Sequence, residues 1–281
     1  MSPFQSRVNT SVQNLTHLAQ LGGVKVLTWE GFHGTALDAV VTTREGGVST
    51  GTYKSLNLAL HVGDDKAAVL ENRRRALLAL DAGLDDCVVA NQVHGIGVAT
   101  VGVAERGRGS RSVDDAIEGK DALVTTEPGL VLCVLVADCA PVVLFDPEAR
   151  VLGCAHAGWR GALGGVIEAT IESMSALGAE AARLLVGIGP AIAATRYEVG
   201  ADVAAAAKGR FGEANAFVRP GRADHWWFDL QGATAAIVRR AGVPDEHVAI
   251  ASIDTGPPGP FYSARAEGRC GRFALLARIA P

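Results

Sequence analysis

The chain has 281 residues, 48% of them hydrophobic and 20% charged, which suits a well-buried core in one large domain or two small ones. A formal net charge of only −4 speaks against a nucleic-acid or anionic-membrane partner and favours small-molecule chemistry. The five cysteines, Cys87, Cys133, Cys139, Cys154 and Cys270, are too few and odd in number for a disulfide framework, so reduced thiols are expected. No basic segment followed by an apolar stretch opens the sequence, and the longest apolar run, 129–137, falls well short of the about 20 residues a membrane helix needs. The expectation is a soluble, cytoplasmic protein.

Residues 1–23 read as a flexible N-terminal segment and 24–281 as a single domain. Short, β-branched-rich runs bounded by Gly, Pro or Asp predict strands at 24–29, 39–43, 88–93, 98–101, 130–136, 142–145, 151–155, 184–188, 248–253 and 273–279. Helices are predicted at about 66–80, 163–177, 200–208 and 230–241. In the second, Leu163, Ile167, Thr170, Ile171, Met174 and Leu177 recur at helical spacing, and Gly178 suits the position just past its end. Asp229 is well placed to cap the fourth. The Gly- and Arg-rich stretch 104–120 reads as a surface loop, since strand-like sequence resumes on both sides. Strands and helices do not alternate regularly. The expected class is therefore α+β, with mixed or antiparallel sheets and packed helices.

Between 134 and 161 the sequence carries the most chemistry. Asp146-Pro147-Glu148-Ala149 reads as a four-residue turn flanked by Phe145 and Arg150. Counting outwards from that pair sets Cys139 opposite His156, close enough for both to grip one ion. Pro141 is able to bulge the strand and shift this register. The best third ligand is His94, beside Gly95 at a strand end. Three protein ligands with one open position is the pattern of catalytic rather than structural zinc. Cys154 shares the strand parity of His156 and is the alternative thiol. After His156, Gly158 and Gly161 flank Arg160 at a helix start, which reads either as a phosphate seat or simply as a tight turn.

Gln92-Val93-His94-Gly95, Ala137-Asp138-Cys139-Ala140-Pro141 and Ala155-His156-Ala157-Gly158-Trp159-Arg160-Gly161 resemble the three signature segments of the YfiH/YlmD family, formerly called multicopper polyphenol oxidase or laccase-domain proteins. Ser55-Leu56-Asn57-Leu58, His61-Val62-Gly63-Asp64, Glu71-Asn72-Arg73-Arg74, Ile188-Gly189-Pro190 and Gly271-Arg272-Phe273 extend the resemblance over nearly the whole chain after residue 24. It implies an α+β fold with zinc at His94, Cys139 and His156. It also implies purine nucleoside phosphorylase activity on adenosine, inosine and methylthioadenosine, together with adenosine deaminase activity. Arg73 and Asn57, with Arg160 and Gly161, are then expected around nucleoside and phosphate. Asp138 and Cys139 join Arg73 as catalytic candidates, Asp138 as an acid–base group or as a partner that fixes a ligand.

The segment 189–197 lacks cysteines that many relatives carry, and Asp254 occupies another such position, so the pocket lining is expected to differ. Multicopper chemistry normally uses His-x-His pairs, and the seven histidines contain none, although the site is able to accept copper. Two other readings stay open: a cysteine hydrolase of amidase type, with Cys139 as nucleophile and His156 as base, acting in peptidoglycan-precursor editing, and a non-catalytic metal-binding protein.

Overall fold

The computed structural model describes residues 16–213 and 215–281. Two large sheets stack face to face. The first runs, edge to edge, through Thr16–Leu21, Val24–Trp29, Leu37–Thr42, Phe273–Ile279, Val131–Val136, Cys87–Asn91 and Ile117–Glu118. The second runs through Val248–Ile250, Leu185–Ile188, Ala140–Asp146, Val151–Ala157, Ala122–Thr125 and Val98–Thr100. Parallel pairs lie at one edge of the first sheet and at both edges of the second, with antiparallel pairs elsewhere, so both sheets are mixed as expected. A small third sheet joins Glu198–Val199, Trp226–Phe228 and Val218–Pro220.

Strand alternation decides the layering. Leu132, Val134 and Val136 point between the sheets, where they meet Val143, Phe145, Leu152 and Cys154 from the other side. Val131, Cys133 and Leu135 point outwards, onto Ala76, Leu77 and Leu80 around the helix Lys66–Leu77. On the far side, Val142, Leu144, Val151 and Ala155 bury against the helices Val166–Ser175 and Leu230–Arg240. The order is helix, sheet, sheet, helix. Central strands are covered on both faces, which explains why they read as continuous apolar runs rather than alternating ones.

Three expectations change. Thr16–Leu21 pairs along its whole length with Val24–Trp29 through a Gly22-Gly23 turn with both φ values positive, 56° and 85°. Residues 16–23 therefore belong to the folded body, because two glycines supply the backbone that a tight hairpin demands. The rest of the expected flexible segment, 1–15, lies outside the described residues. The helix expected at 163–177 is two, Trp159–Gly164 and Val166–Ser175, divided at Gly165 where φ is +110°. Finally, the loop 104–120 is not all surface: Ser110 is fully buried, and Ile117–Glu118 adds a strand to the first sheet. Asp229 caps its helix as expected, accepting from the Gly232 N–H at 2.9 Å. No helix of the described residues is long and apolar enough to cross a membrane.

Candidate metal centre

His156 lies in the strand Val151–Ala157, Cys139 just before Ala140–Asp146, and His94 in the loop that follows Cys87–Asn91. Their ligand atoms all fall within 4.8 Å of one another. The two imidazoles meet edge to face, with centroids 4.7 Å apart. His156 is buried, Cys139 half-buried and His94 exposed, so the cluster opens to solvent on one side.

The hairpin register is not the one expected. Asp146 pairs with Val151 and His156 with Pro141, which closes a loop over residues 147–150. Asp146 stays in the strand because its carboxylate accepts the Glu148 and Ala149 N–H groups, turning the chain itself, while Arg150 takes the left-handed position at φ 52°. The shift is two residues, and two residues preserve the face. Cys139 thus reaches His156 diagonally. One step beyond the last pair, Gly158 faces Cys139. A Cβ there would lie 2.9 Å from the Cys139 sulfur and 3.0 Å from His94 Cδ2. The missing side chain leaves the room that an ion among these donors needs, and two imidazoles with one thiolate suit zinc or copper.

Sequence reasoning missed Asp121. This carboxylate, 1% exposed, precedes the strand Ala122–Thr125. It accepts from His156 Nδ1 at 2.8 Å and from the N–H groups of Val93, His94 and Gly95 at 3.2, 2.9 and 2.7 Å. One side chain thereby orients one imidazole and folds the loop that carries the other, with His94 at φ 60°. Burial pushes the Asp121 carboxyl up, but its donors outweigh that and hold it below the ordinary carboxylate value. Only its position ahead of a short strand hinted at this role.

The thiol and imidazole polarise each other. Burial opposes ionisation of Cys139, yet His156 and His94 overcome it and lower its pKa to about 6. Burial likewise opposes the charged His156, yet Cys139 and Asp121 raise its pKa to about 9. Between these two values the metal-free pair is a thiolate beside an imidazolium. Cys154 points into the core between the sheets, where burial pushes its thiol up, and it takes no part in the cluster.

A cavity of about 320 Å³ opens beside the three ligands and is also lined by Arg73, His61 and Arg272. Arg73 is 6% exposed; its Nε donates to the Leu58 carbonyl and one terminal nitrogen to the Gly109 and Ser110 carbonyls. The other expected site residues lie elsewhere. Asn57 is fully buried, and its amide is spent on Ala59, Asp64 and the Arg272 N–H, so it is framework, not a ligand-facing group. Arg160 is exposed and stacks on the Trp159 ring at 4.4 Å, outside the cavity lining. Gly161 serves close packing, since a Cβ there would lie 2.8 Å from the Gly95 carbonyl. Asp138, at φ 91°, accepts from the Thr255 hydroxyl at 2.6 Å and the Arg265 N–H at 2.7 Å. It faces a neighbouring cavity of about 300 Å³ with Tyr197, and fixes the turn that delivers Cys139.

Residues 38–280 match the model of a family described as multi-copper polyphenol oxidoreductase laccase. The chain belongs to this family. Its relatives include the purine nucleoside phosphorylase of Deinococcus radiodurans, 41% identical over 85% of this chain and 87% of that protein. Adenosine deaminase RL5, from an unknown prokaryotic organism, is 36% identical over 75% of this chain and 81% of its own length. Among solved structures, YlmD from Geobacillus stearothermophilus superposes with a TM-score of 0.89 at 31% identity, covering 95% of this chain and all of that one.

Proposed function

We propose that the protein is a zinc-dependent purine nucleoside phosphorylase, acting in the cytoplasm on adenosine, inosine or methylthioadenosine, with adenosine deamination as a second activity. The observation that carries this reading is the His94–Cys139–His156 cluster opening into a cavity that also presents the Arg73 guanidinium. Relatives named purine nucleoside phosphorylase and adenosine deaminase support it from a separate direction.

Phosphorolysis breaks the glycosidic bond between the anomeric carbon and the purine nitrogen, whose electron pair leaves with the base, and forms a bond from that carbon to an oxygen of hydrogen phosphate, whose proton goes to the departing purine. Held by His94, Cys139 and His156, a zinc ion would supply Lewis-acid polarisation of an oxygen ligand. Arg73 neutralises and orients the phosphate. Asp121 keeps the His156 proton on Nδ1 and so leaves Nε2 to the cluster. Gly109, Val113 and Ala116, from the stretch 107–116, line part of the cavity. Asp138 sets the Cys139 turn and is not assigned a proton-transfer role.

Chromatography of adenosine with the metal-loaded protein, with and without phosphate, tests the proposal. Phosphate-dependent adenine is expected, with phosphate-independent inosine marking deamination. No product from a metal-loaded sample would overturn it. The lowered Cys139 thiol favours one second reading, a cysteine hydrolase; a stoichiometric metal that blocks alkylation of Cys139 would count against that. Among the described residues there is a single three-ligand cluster, too few donors for a multicopper centre.

A further inference from the structure

The cavity beside the ligand cluster has an electrostatic wall that neither the family motifs around the metal nor the helix start at Arg160 had pointed to. Two guanidiniums, Arg73 and Arg272, line it together with His61, and no carboxylate is among the lining residues. Arg73 is almost wholly buried, and no described residue accepts from its second terminal nitrogen. Arg272 uses one terminal nitrogen on the Cys270 and Gly271 carbonyls, at 3.1 and 3.0 Å, and its Nε and other terminal nitrogen have no acceptor among the described residues. Arg73 is buried and Arg272 half-buried, and two like charges lining one cavity with no carboxylate between them repel each other until an anion offsets them.

The surrounding structure is built to hold this arrangement. Asn57, fully buried, accepts the Arg272 N–H at 2.9 Å and donates to Asp64 at 2.9 Å, so the amide fixes the backbone from which Arg272 projects. Gly271 has no space for a side chain, since a Cβ there would lie 2.6 Å from the Tyr262 ring and 2.9 Å from Asn57 Cβ. Asp64, three residues after His61, spends its carboxylate on Ser49, Asn57 and the Asp65 N–H. His61 stands at the exposed rim, and partial burial, then Arg272 and Arg73, hold its imidazole below the ordinary value, which places it within the field of both guanidiniums.

We infer that Arg272, with Arg73 in the same lining and His61 at the rim, forms the seat for a tetrahedral oxyanion, the inorganic phosphate co-substrate. This rests on the phosphorolysis reading for the identity of the anion but not for its binding. Two guanidiniums offset the two charges of the phosphate dianion, and their planar forks match its oxygens. Asn57 acts on the seat through Arg272 and touches no ligand.

The test titrates inorganic phosphate, and separately a nucleoside 5′-monophosphate, into the metal-loaded protein by calorimetry, for wild type, Arg272→Gln, Arg272→Lys and His61→Gln. Steady-state KM values for phosphate and for nucleoside are read on the same proteins. Phosphate affinity should fall at least tenfold in Arg272→Gln, partly recover in Arg272→Lys, and fall a few-fold in His61→Gln, while the nucleoside KM stays within about twofold. Unchanged phosphate affinity in Arg272→Gln would overturn the assignment. So would binding of the 5′-monophosphate through Arg272 with none of inorganic phosphate. Arg272-dependent phosphate binding without any nucleoside cleavage would instead leave the seat standing and remove the phosphorylase reading.

Discussion

At the scale of single residues, Asp121 carries more of the centre than any residue except the ligands. A carboxylate accepts from His156 Nδ1 and three backbone N–H groups at once. An amide at this position turns one acceptor into a donor, which forces the His156 proton towards Nε2, the nitrogen the metal needs. Asp121→Asn should therefore weaken zinc binding by about 10–100-fold, measured by competition with a chromophoric chelator; wild-type affinity would show that the carboxylate merely holds the loop. The thiolate–imidazolium pair makes a second prediction. Because Cys139 ionises at about 6 and His156 loses its proton only at about 9, zinc must displace the His156 proton between these values. Apparent zinc affinity should climb about tenfold per pH unit across that window and level off above it. A profile flat across the window would mean that no proton leaves on binding. None of the three candidate ligands was hidden in the sequence: His94 adjoins Gly95, and Pro141 and Gly158 stand two residues past Cys139 and His156. Asp121 was hidden, since a lone acid before a short strand carries no signature of the four donors that converge on it.

At the scale of elements, the hairpin that carries Cys139 and His156 shows how far pattern goes. Strand periodicity has a period of two, so a register error of two residues leaves every side chain on its correct face. The pairing partner changed while the chemistry did not. Asp146 was the source of the difference, since it turns the chain with its own carboxylate while remaining in the strand. Glycine decides the next element as well. At φ +110°, Gly165 ends Trp159–Gly164 by donating to the Gly161 carbonyl at 2.9 Å and lets Val166–Ser175 start in a new direction. Helical periodicity ran straight through this break because Leu163 and Ile167 are both core-facing. Gly165→Ala should cost about 1–2 kcal/mol in denaturant unfolding, with zinc affinity little changed. An unaltered midpoint would show that this backbone tolerates a side chain.

At the scale of the whole molecule, the ligands come from segments 94, 139 and 156, and Asp121 adds a fourth, so the centre exists only when two parts of the second sheet and the loop leaving the first are in place. A metal that binds this folded arrangement and not the unfolded chain stabilises it by mass action, by about 4 kcal/mol at a thousandfold excess over Kd. Chelation should lower the melting temperature by several degrees, and His94→Ala, at an exposed position, should remove that sensitivity without lowering the metal-free midpoint. An equal response to chelator in wild type and His94→Ala would place the stabilising metal elsewhere. The two-sheet core between Phe145, Leu152, Leu275 and Phe273 supplies the rigidity on which these loops depend.

By itself the sequence determined the local matters: which runs form strands, that the class is α+β, and that His94, Cys139 and His156 sit at strand ends where side chains can project together. These depend on periodicity and on residues whose preferences act over a few positions. Tertiary structure alone decided which groups share a cavity. It placed Arg272 and His61 in one cavity lining with Arg73, spent the Asn57 amide and the Asp138 carboxylate on the surrounding fold, left Arg160 on the surface, and brought Asp121 to His156 and the loop of His94. Those relations join residues up to about two hundred positions apart, and their geometry comes from sheet stacking, a long-range arrangement that no local pattern encodes.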